Sequence, residues 1–429
     1  MAAHTIEELS EIISRNSAKL SVSLKNQGVS SPTVNDPETR PNFGSVDLKA
    51  SLELADAARE LEALVMGPQK MLTYMAVIYH DVVSLGALLE FNIPALVPLE
   101  GTVSISDLAS KSGLSEDKLT RFIRYAATNF IFCEPSPGII GHTTASAHLA
   151  RDPAFCNFLR WLTVDLAAVQ ASLPATARRW PQSERMNECA VNFASGTNGN
   201  FWQWMTRDPQ RQTRFHQAIA GFAGGGSGLK GRSLDIEAYP WAETLGSKAV
   251  IVDVGGGSGY FSRALALAYP EFTITVQDRA AAFASSASQP DNPLNLQFQE
   301  HDFFTPQPLG GADVYFLRHI LHDWPRAEAV LILRALLPAL KPGARVLVSE
   351  HLMPGGERGE SLLEEKMTRQ VDMQMMGVFN SKERTAEEFA ALFQEADEKL
   401  KFRAKYQIPG DKKSYIFEAV WEADSQLLN

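Results

Sequence analysis

The sequence predicts an α/β protein: a largely parallel, seven-stranded sheet in the C-terminal half, preceded by a mostly α-helical half. Three observations carry this. Residues 249–254, Ala-Val-Ile-Val-Asp-Val, run into Gly255-Gly256-Gly257-Ser258-Gly259 and then into an apolar stretch, 261–268. A strand, a glycine turn and a helix in that order open a nucleotide-binding sheet. Further apolar runs follow at 273–277, 296–300, 312–317 and 345–350, and two more at 401–406 and 414–421 give an antiparallel edge. Before residue 165 the apolar positions Leu52, Leu54, Leu61, Leu64, Met71, Met75 and Ile78 instead recur at roughly helical spacing.

Residues 1–45 form an N-terminal arm: an amphipathic helix over 6–20, then a polar stretch with Ser30, Ser31, Pro32, Asn35, Pro37 and Pro41 that reads as partly flexible. Residues 46–165 form the helical domain. Within it, 103–130 reads as helix–turn–helix. Ser106 is placed as the first cap, Gly113 as the turn and Ser115 as the second cap. Residues 132–144, with Pro135, Pro137, Gly138 and Gly141, read as a wing. Residues 166–235 form a helical connector rich in aromatic residues, ending near a glycine run at 224–228 that could serve as a hinge or linker. Residues 236–429 form the catalytic domain.

Composition bounds the function. The chain has 429 residues, 45% hydrophobic and 21% charged, with a net charge of −10. That charge argues against general affinity for nucleic acid or anionic membrane. A winged helix invites a DNA-binding reading, with Lys118, Arg121 and Arg124 as its basic face, but no dense basic cluster supports it. Cys133, Cys156 and Cys189 form no CxxC pair, which points to a reducing, cytoplasmic setting, and no Cys-His cluster has metal-site spacing. The first ten residues are polar and acidic rather than a signal peptide, and no apolar run is expected to reach membrane-span length.

The glycines discriminate between cofactors. A dinucleotide turn needs Gly-x-Gly-x-x-Gly/Ala, and counting from Gly255 or Gly257 the last position is Tyr260 or Ser262. The packed glycines instead resemble the first motif of class I S-adenosylmethionine (SAM) methyltransferases, with Gly255 and Gly257 against the cofactor. Asp278, closing the second strand, suits the ribose hydroxyls, with Arg279 beside it. Asp302 and Phe303 follow the third strand and suit the adenine amino group and ring. The segment Leu317-Arg318-His319-Ile320-Leu321-His322-Asp323-Trp324-Pro325 strongly resembles its counterpart in plant- and fungal-type small-molecule O-methyltransferases. The resemblance covers nearly all of residues 50–429. It implies a Rossmann-like SAM domain, a winged-helix dimerisation domain, a homodimer, no metal, and His322 as general base. It implies that Glu350 orients that base, and that Glu383, in Ser381-Lys382-Glu383-Arg384-Thr385, flanks it from the other side. The family often has Lys where this chain has Arg318, a planar cation able to stack on adenine.

The residue types suit the chemistry. Methyl transfer from a sulfonium is an in-line displacement, so the protein must position the acceptor and remove its proton. A phenol ionises near about 10, and a histidine near about 6.5 can take its proton during attack. His301, His319, His351 and His216 read as structural or pocket-lining. Trp161, Trp202, Met205 and Phe222 in the connector, and Met373 and Met376 on a Met-rich helix after the fifth strand, are the acceptor-site candidates. The family resemblance to fungal secondary-metabolism enzymes implies an aromatic polyketide or indole-alkaloid hydroxyl as acceptor. Some fungal relatives run a pericyclic or dehydration step on the same fold, and the intact His322, Asp323, Glu350 and Glu383 set argues for methyl transfer over that alternative.

Overall fold

The computed structural model describes residues 4–29, 32–38, 47–223, 234–287, 289, 292–355, 361–411 and 413–422. The glycine run at 224–228, the Phe222 side chain and part of the polar stretch from Ser30 to Pro41 lie outside the described residues. The chain divides into two compact units. One takes residues 1–168, 205–226 and 360–363; the other takes 169–204, 227–359 and 364–429. The sequence-proposed connector is therefore shared between them.

The first unit is helical. Thr5 and Glu8 close a reciprocal capping box on helix Ile6–Asn26, which runs past the expected end at Leu20. Helix Leu48–Val77 starts at Asp47, whose side chain accepts from the Ala50 N–H, and changes direction at Gly67, with φ 69° ahead of Pro68. Helix Tyr79–Glu90 follows. The stretch Leu48–Glu90 is long and apolar enough by length and composition to cross a membrane, which corrects the sequence expectation. Scattered charges hide that stretch from a search for an unbroken apolar run. Many of its large side chains are exposed, Val65 at 67% and Met75 at 62%.

The wing is as the spacing suggested, with one change. Strands β1 (Thr102–Ser104), β2 (Cys133–Ser136) and β3 (Ile139–Gly141) form a small sheet in the order β1-β3-β2. Ser104, not Ser106, caps helix Ile105–Ser112, its hydroxyl accepting from the Asp107 N–H at 3.0 Å. An isoleucine at the first helical position buries against Leu108, Leu119, Ile123 and Ile140, which fixes the start two residues early. Gly113 ends the helix in the left-handed region and Ser115 caps Glu116–Ala127, as expected. Arg124 is held by Glu134 through two hydrogen bonds of 2.9 and 2.8 Å, and Arg121 lies 3.8 Å from Asp117, so most of the supposed basic face is already paired. Further along, Arg214 grips Asp165 with bonds of 2.7 and 2.6 Å.

The second unit holds the sheet. Its strands are β4 (Val250–Val254), β5 (Thr273–Asp278), β6 (Leu296–Glu300), β7 (Val314–Arg318), β8 (Arg345–His351), β9 (Leu400–Gln407) and β10 (Ser414–Trp421). The order is β6-β5-β4-β7-β8-β10-β9, parallel from β6 to β8, with β10 antiparallel to both β8 and β9. All seven expected strands are present. Ile251, Phe316 and Leu347 are fully buried, and Phe261 stacks on Phe316 with centroids 4.2 Å apart. Strand β4 has β5 on one side and β7 on the other, so the connections diverge there and leave a crevice at the carboxyl ends of β4 and β7.

Candidate active site

The glycine turn sits at that crevice. Gly255 has φ 76° and donates its N–H to the Gln277 carbonyl at 2.8 Å. A Cβ there would come within 2.5 Å of Ile320 Cδ1, and the positive φ strains any side chain at this position. Gly257 donates to Asp278 Oδ2 at 2.9 Å and Arg279 donates to Asp278 Oδ1 at 2.7 Å. Two backbone donors thus orient the Asp278 carboxylate, and its remaining lone pairs can accept hydroxyls. Burial pushes the Asp278 pKa up, opposed by those donors. The Arg279 guanidinium lies 5.6 Å from the centre of the Trp202 ring.

The other cofactor candidates are placed less uniformly. Asp302 is exposed after β6 and accepts from the Phe304 N–H at 3.0 Å. Phe303 meets Trp324 edge-on at 5.8 Å. Arg318, ending β7, is tied through Nε to Asp235 Oδ2 at 3.0 Å, and the Ser349 hydroxyl donates to the other Asp235 oxygen. That tether links residues far apart in sequence and left no mark in either segment. Asp253, inside β4, was also missed: it is fully buried and accepts from the Ser262 hydroxyl at 2.6 Å. Burial lifts its pKa to about 6.

The elbow after β7 holds the candidate catalytic histidine. His319 adopts φ 52°, and Leu321–Asp323 form a 3₁₀ turn. Glu350 Oε1, on neighbouring β8, accepts from the Ile320 N–H at 3.0 Å and the His322 N–H at 3.3 Å. Arg384 donates to the Leu321 and Trp324 carbonyls, both at 2.6 Å, and Ser381 donates to Trp324 at 2.7 Å. Pinning these backbone groups fixes where His322 points. Its Nδ1 lies 2.8 Å from Glu383 Oε1 and 3.4 Å from Glu350 Oε2. Both carboxylates therefore face one ring nitrogen, whereas the family resemblance placed Glu383 on the other side. Asp372 in turn accepts from the Glu383 N–H at 2.9 Å.

The other nitrogen, Nε2, has no hydrogen-bond partner among the described residues; its nearest charged neighbour is Asp323 Oδ1 at 3.5 Å. Two histidines read as structural stand against the same carboxylates. His319 Nδ1 is 3.7 Å from Glu350 Oε2, and His351 Nδ1 is 3.7 Å from Glu383 Oε1. The usable sequence signals were their places: His319 one short turn before His322, and His351 next to Glu350.

Burial by itself would lower the His322 pKa, but Glu350, Glu383 and Asp323 outweigh it and raise it to about 10. Burial would raise Glu350 and Glu383, but His322 holds both below the ordinary carboxylate range. Burial lowers His319 to about 4 and raises Asp323 to about 7.

The acceptor candidates divide between the units. Trp161 and Met205 are buried in the helical unit, Trp161 edge-on to Phe215 at 5.2 Å. In the sheet unit, Trp202 packs on Phe201 and Phe379 at 5.1 and 5.8 Å. On helix Leu362–Phe379, Met375 is buried, while Met373 and Met376 are exposed.

Residues 181–397 match the O-methyltransferase domain family. The chain is 35% identical to a chlorophenol O-methyltransferase of Trichoderma longibrachiatum, over 96% of this chain and 90% of that one. It is 33% identical to the O-methyltransferase pyvH of Aspergillus violaceofuscus, over 98% and 100%. Among solved structures, OxaC in complex with SAH and oxaline is similar at TM-score 0.77 and 20% identity, covering 96% of this chain and 100% of that one. A pericyclic reaction enzyme is similar at TM-score 0.75 and 24% identity, covering 89% and 96%. At these identities the two structures bear on the fold alone. The fungal relatives extend over nearly the whole chain, and with the domain match they show that it belongs to the SAM-dependent O-methyltransferase family of fungal secondary metabolism.

Proposed function

We propose that the enzyme moves a methyl group from SAM to a hydroxyl of an aromatic small molecule, with His322 taking the hydroxyl proton. The observation that carries this is the state of the ring: Nδ1 is clamped by Glu383 at 2.8 Å while Nε2 is left unbonded. A neutral imidazole with Nδ1–H facing the carboxylates presents an acceptor lone pair at Nε2. Glu350 and Glu383 then stabilise the imidazolium that forms, as an orienting acid does in other base-assisted sites. The same carboxylates raise the His322 pKa, and a positive charge bound nearby would lower it again and free the Nε2 lone pair.

Gly255, Gly257, Asp278, Arg279, Asp302, Phe303 and Arg318 are the residues that would hold the cofactor. Their fit rests on the side-chain-free position at Gly255 and the preoriented Asp278 carboxylate. SAM, when bound, supplies an already activated methyl on a sulfonium. Among the acceptor candidates, those in the sheet unit, Trp202, Met373 and Met376, would meet the acceptor. An aromatic acceptor is supported by the phenol-methylating relative and by the Trp202 and methionine surfaces. We place the enzyme in the cytoplasm as a homodimer without nucleic-acid or membrane partners. The free cysteines, the paired Arg124 and the exposed apolar row at Val65, Leu72, Met75, Ile78 and Val83 support that reading.

The test offers chlorophenol and larger phenols with SAM and reads products by mass spectrometry. A product carrying one added methyl, with SAH formed in equal amount, is expected. A substrate converted with no methyl gained and no SAM consumed would replace this reading with a pericyclic or dehydration reaction.

A further inference from the structure

We infer that His319, His322 and His351, with Glu350 and Glu383, form a binding site for a divalent d-block cation, Zn²⁺ foremost, and that filling it stops methyl transfer. The inhibitory half rests on the reading of His322 as base; the binding half does not.

Two overlapping sets of side chains converge there: His319, His322 and His351, and His322, Glu350 and Glu383, with the ligand atoms of each set within 4.8 Å of one another. Among the described residues, four buried polar atoms of this cluster have no partner within hydrogen-bond distance, namely His319 Nδ1, His351 Nδ1, Glu350 Oε2 and Glu383 Oε2, although His319 faces Glu350 and His351 faces Glu383 at 3.7 Å. Buried atoms of this kind are normally satisfied by something. A single water can bridge some of them, but it brings no charge. Among the described residues, the ion-pair partners of both carboxylates are histidines, and neither is paired with a lysine or arginine. A cation would answer the open lone pairs and add to the positive charge that His322 and the buried Arg384 already set against the carboxylates.

The donor types and spacing select the kind of cation. Imidazole nitrogen with carboxylate oxygen suits Zn²⁺ and its d-block neighbours rather than Mg²⁺ or Ca²⁺, which take oxygen shells. Ligand atoms about 2 Å from one tetrahedral ion stand roughly 3.3 Å apart. The observed separations are 2.8 Å for His322–Glu383, 3.4 Å for His322–Glu350 and 3.7 Å for both His319–Glu350 and His351–Glu383, so they bracket that value. Shifts of roughly a few tenths of an ångström would close the site on an ion, well within side-chain rotation. The His319 and His351 side chains are 23% and 15% exposed, while their Nδ1 atoms are buried, so the cluster lies just beneath the surface.

The consequence follows from proton positions. An ion on His322 Nδ1 takes the lone pair of that nitrogen, and the neutral ring then carries its proton on Nε2. That is the atom that would have to accept the hydroxyl proton, so the base is blocked while the fold is untouched.

The test uses the full-length, untagged, cofactor-free enzyme with Co²⁺ as a spectroscopic probe and Zn²⁺ as competitor. Wild type should show visible d–d bands of tetrahedral strength that Zn²⁺ abolishes, and calorimetry should give a 1:1 stoichiometry. His319→Asn and His351→Asn should each weaken Zn²⁺ binding by on the order of 10–100-fold. Each variant is referred to its own melting curve and its own metal-free turnover. Methyl transfer should fall with Zn²⁺ occupancy, return with EDTA, and resist Zn²⁺ in both variants. No bands, or bands unchanged in both variants, would overturn the site and leave the base assignment standing. Histidine-dependent bands with turnover unchanged at full occupancy would confirm the site and overturn His322 as base.

Discussion

The two halves of the molecule use apolar residues in opposite ways. In the sheet unit, Ile251, Val252, Phe316, Leu317 and Leu347 are completely buried. In the helical unit, Val65, Leu72 and Met75 expose more than half their surface although their sequence is just as apolar. A parallel strand is covered on both faces, so its apolar run is core wherever it occurs. A helix has a second face, and an apolar stripe there can be core or contact surface. The polar residues divide the same way. The sheet unit buries Asp253 and Glu350 near strand ends and Glu383 between two helices; burial raises Asp253, while His322 lowers the two glutamates against the effect of burial. The helical unit keeps its arginine–carboxylate pairs at least partly exposed. The proposed function assigns chemistry to the first pattern and assembly to the second.

The sharpest way to break that assignment is at the elbow. His322→Gln should cut turnover by about 10²–10⁴-fold while calorimetry shows SAM affinity nearly unchanged. Full activity on an ordinary phenol at neutral pH would mean that positioning alone carries the reaction. Next comes the core itself. Phe316→Ala should cost about 3–5 kcal/mol in denaturant unfolding, against less than about 0.5 for Val65→Ala at a concentration where the chain is monomeric. Equal losses would erase the distinction between the two apolar surfaces. Leu72→Asp with Met75→Asp should turn a dimer into a monomer by light scattering, each change weakening association by about 2 kcal/mol, or roughly 30-fold. A monomeric wild type would remove the second copy as the occupant of that face. Asp278→Ala should weaken SAM binding by about 1.5–3 kcal/mol for each hydroxyl bond lost, and unchanged affinity would move the cofactor off the glycine turn.

The same contrast explains what the sequence could and could not tell. The inner strands were legible because their apolar runs are buried on both faces, and the edge strand β9 because its apolar and charged residues alternate. Gly255 and Asp278 were legible because a close backbone approach and a strand-end acid have few other uses. The cap at Ser104 was misplaced by two residues because Ser104 and Ser106 are equally good caps, and burial of Ile105 chose between them. His319 and His351 passed as background because what makes them relevant is a shared pair of carboxylates, a property of three dimensions. The tie between Arg318 and Asp235 joins two segments that neither composition nor periodicity connects. The apolar helix Leu48–Val77 was legible as a helix, but its exposed side was not, because helical spacing does not say what covers each face.

The most gradual effect, spread over a pH range, tests whether the sheet half carries a strained charge. Asp253 is fully buried, and its pKa stands at about 6 against an ordinary 3.8, chiefly from desolvation. The sign follows from proton counting. Below the ordinary value both folded and unfolded chains hold the proton, and stability does not depend on this group. Between the two values the unfolded chain has lost its proton and the folded one has not, so stability falls as pH rises. Above about 6 both are ionised and the loss is complete, up to about 3 kcal/mol for a shift of about two units. Asp253→Asn removes the titration while keeping an oxygen for the Ser262 hydroxyl, which now donates at 2.6 Å. Asp323 shifts in the same direction as Asp253, and Glu350 and Glu383 in the opposite one, so the absolute pH profile mixes them. The difference between wild type and variant cancels those shared terms. The variant should therefore gain on wild type between about pH 4.5 and about pH 7 in urea midpoints. A constant difference across that window would mean that Asp253 is ionised at no special cost. The β4 strand would then resemble the helical unit, where charges stay partly exposed and paired.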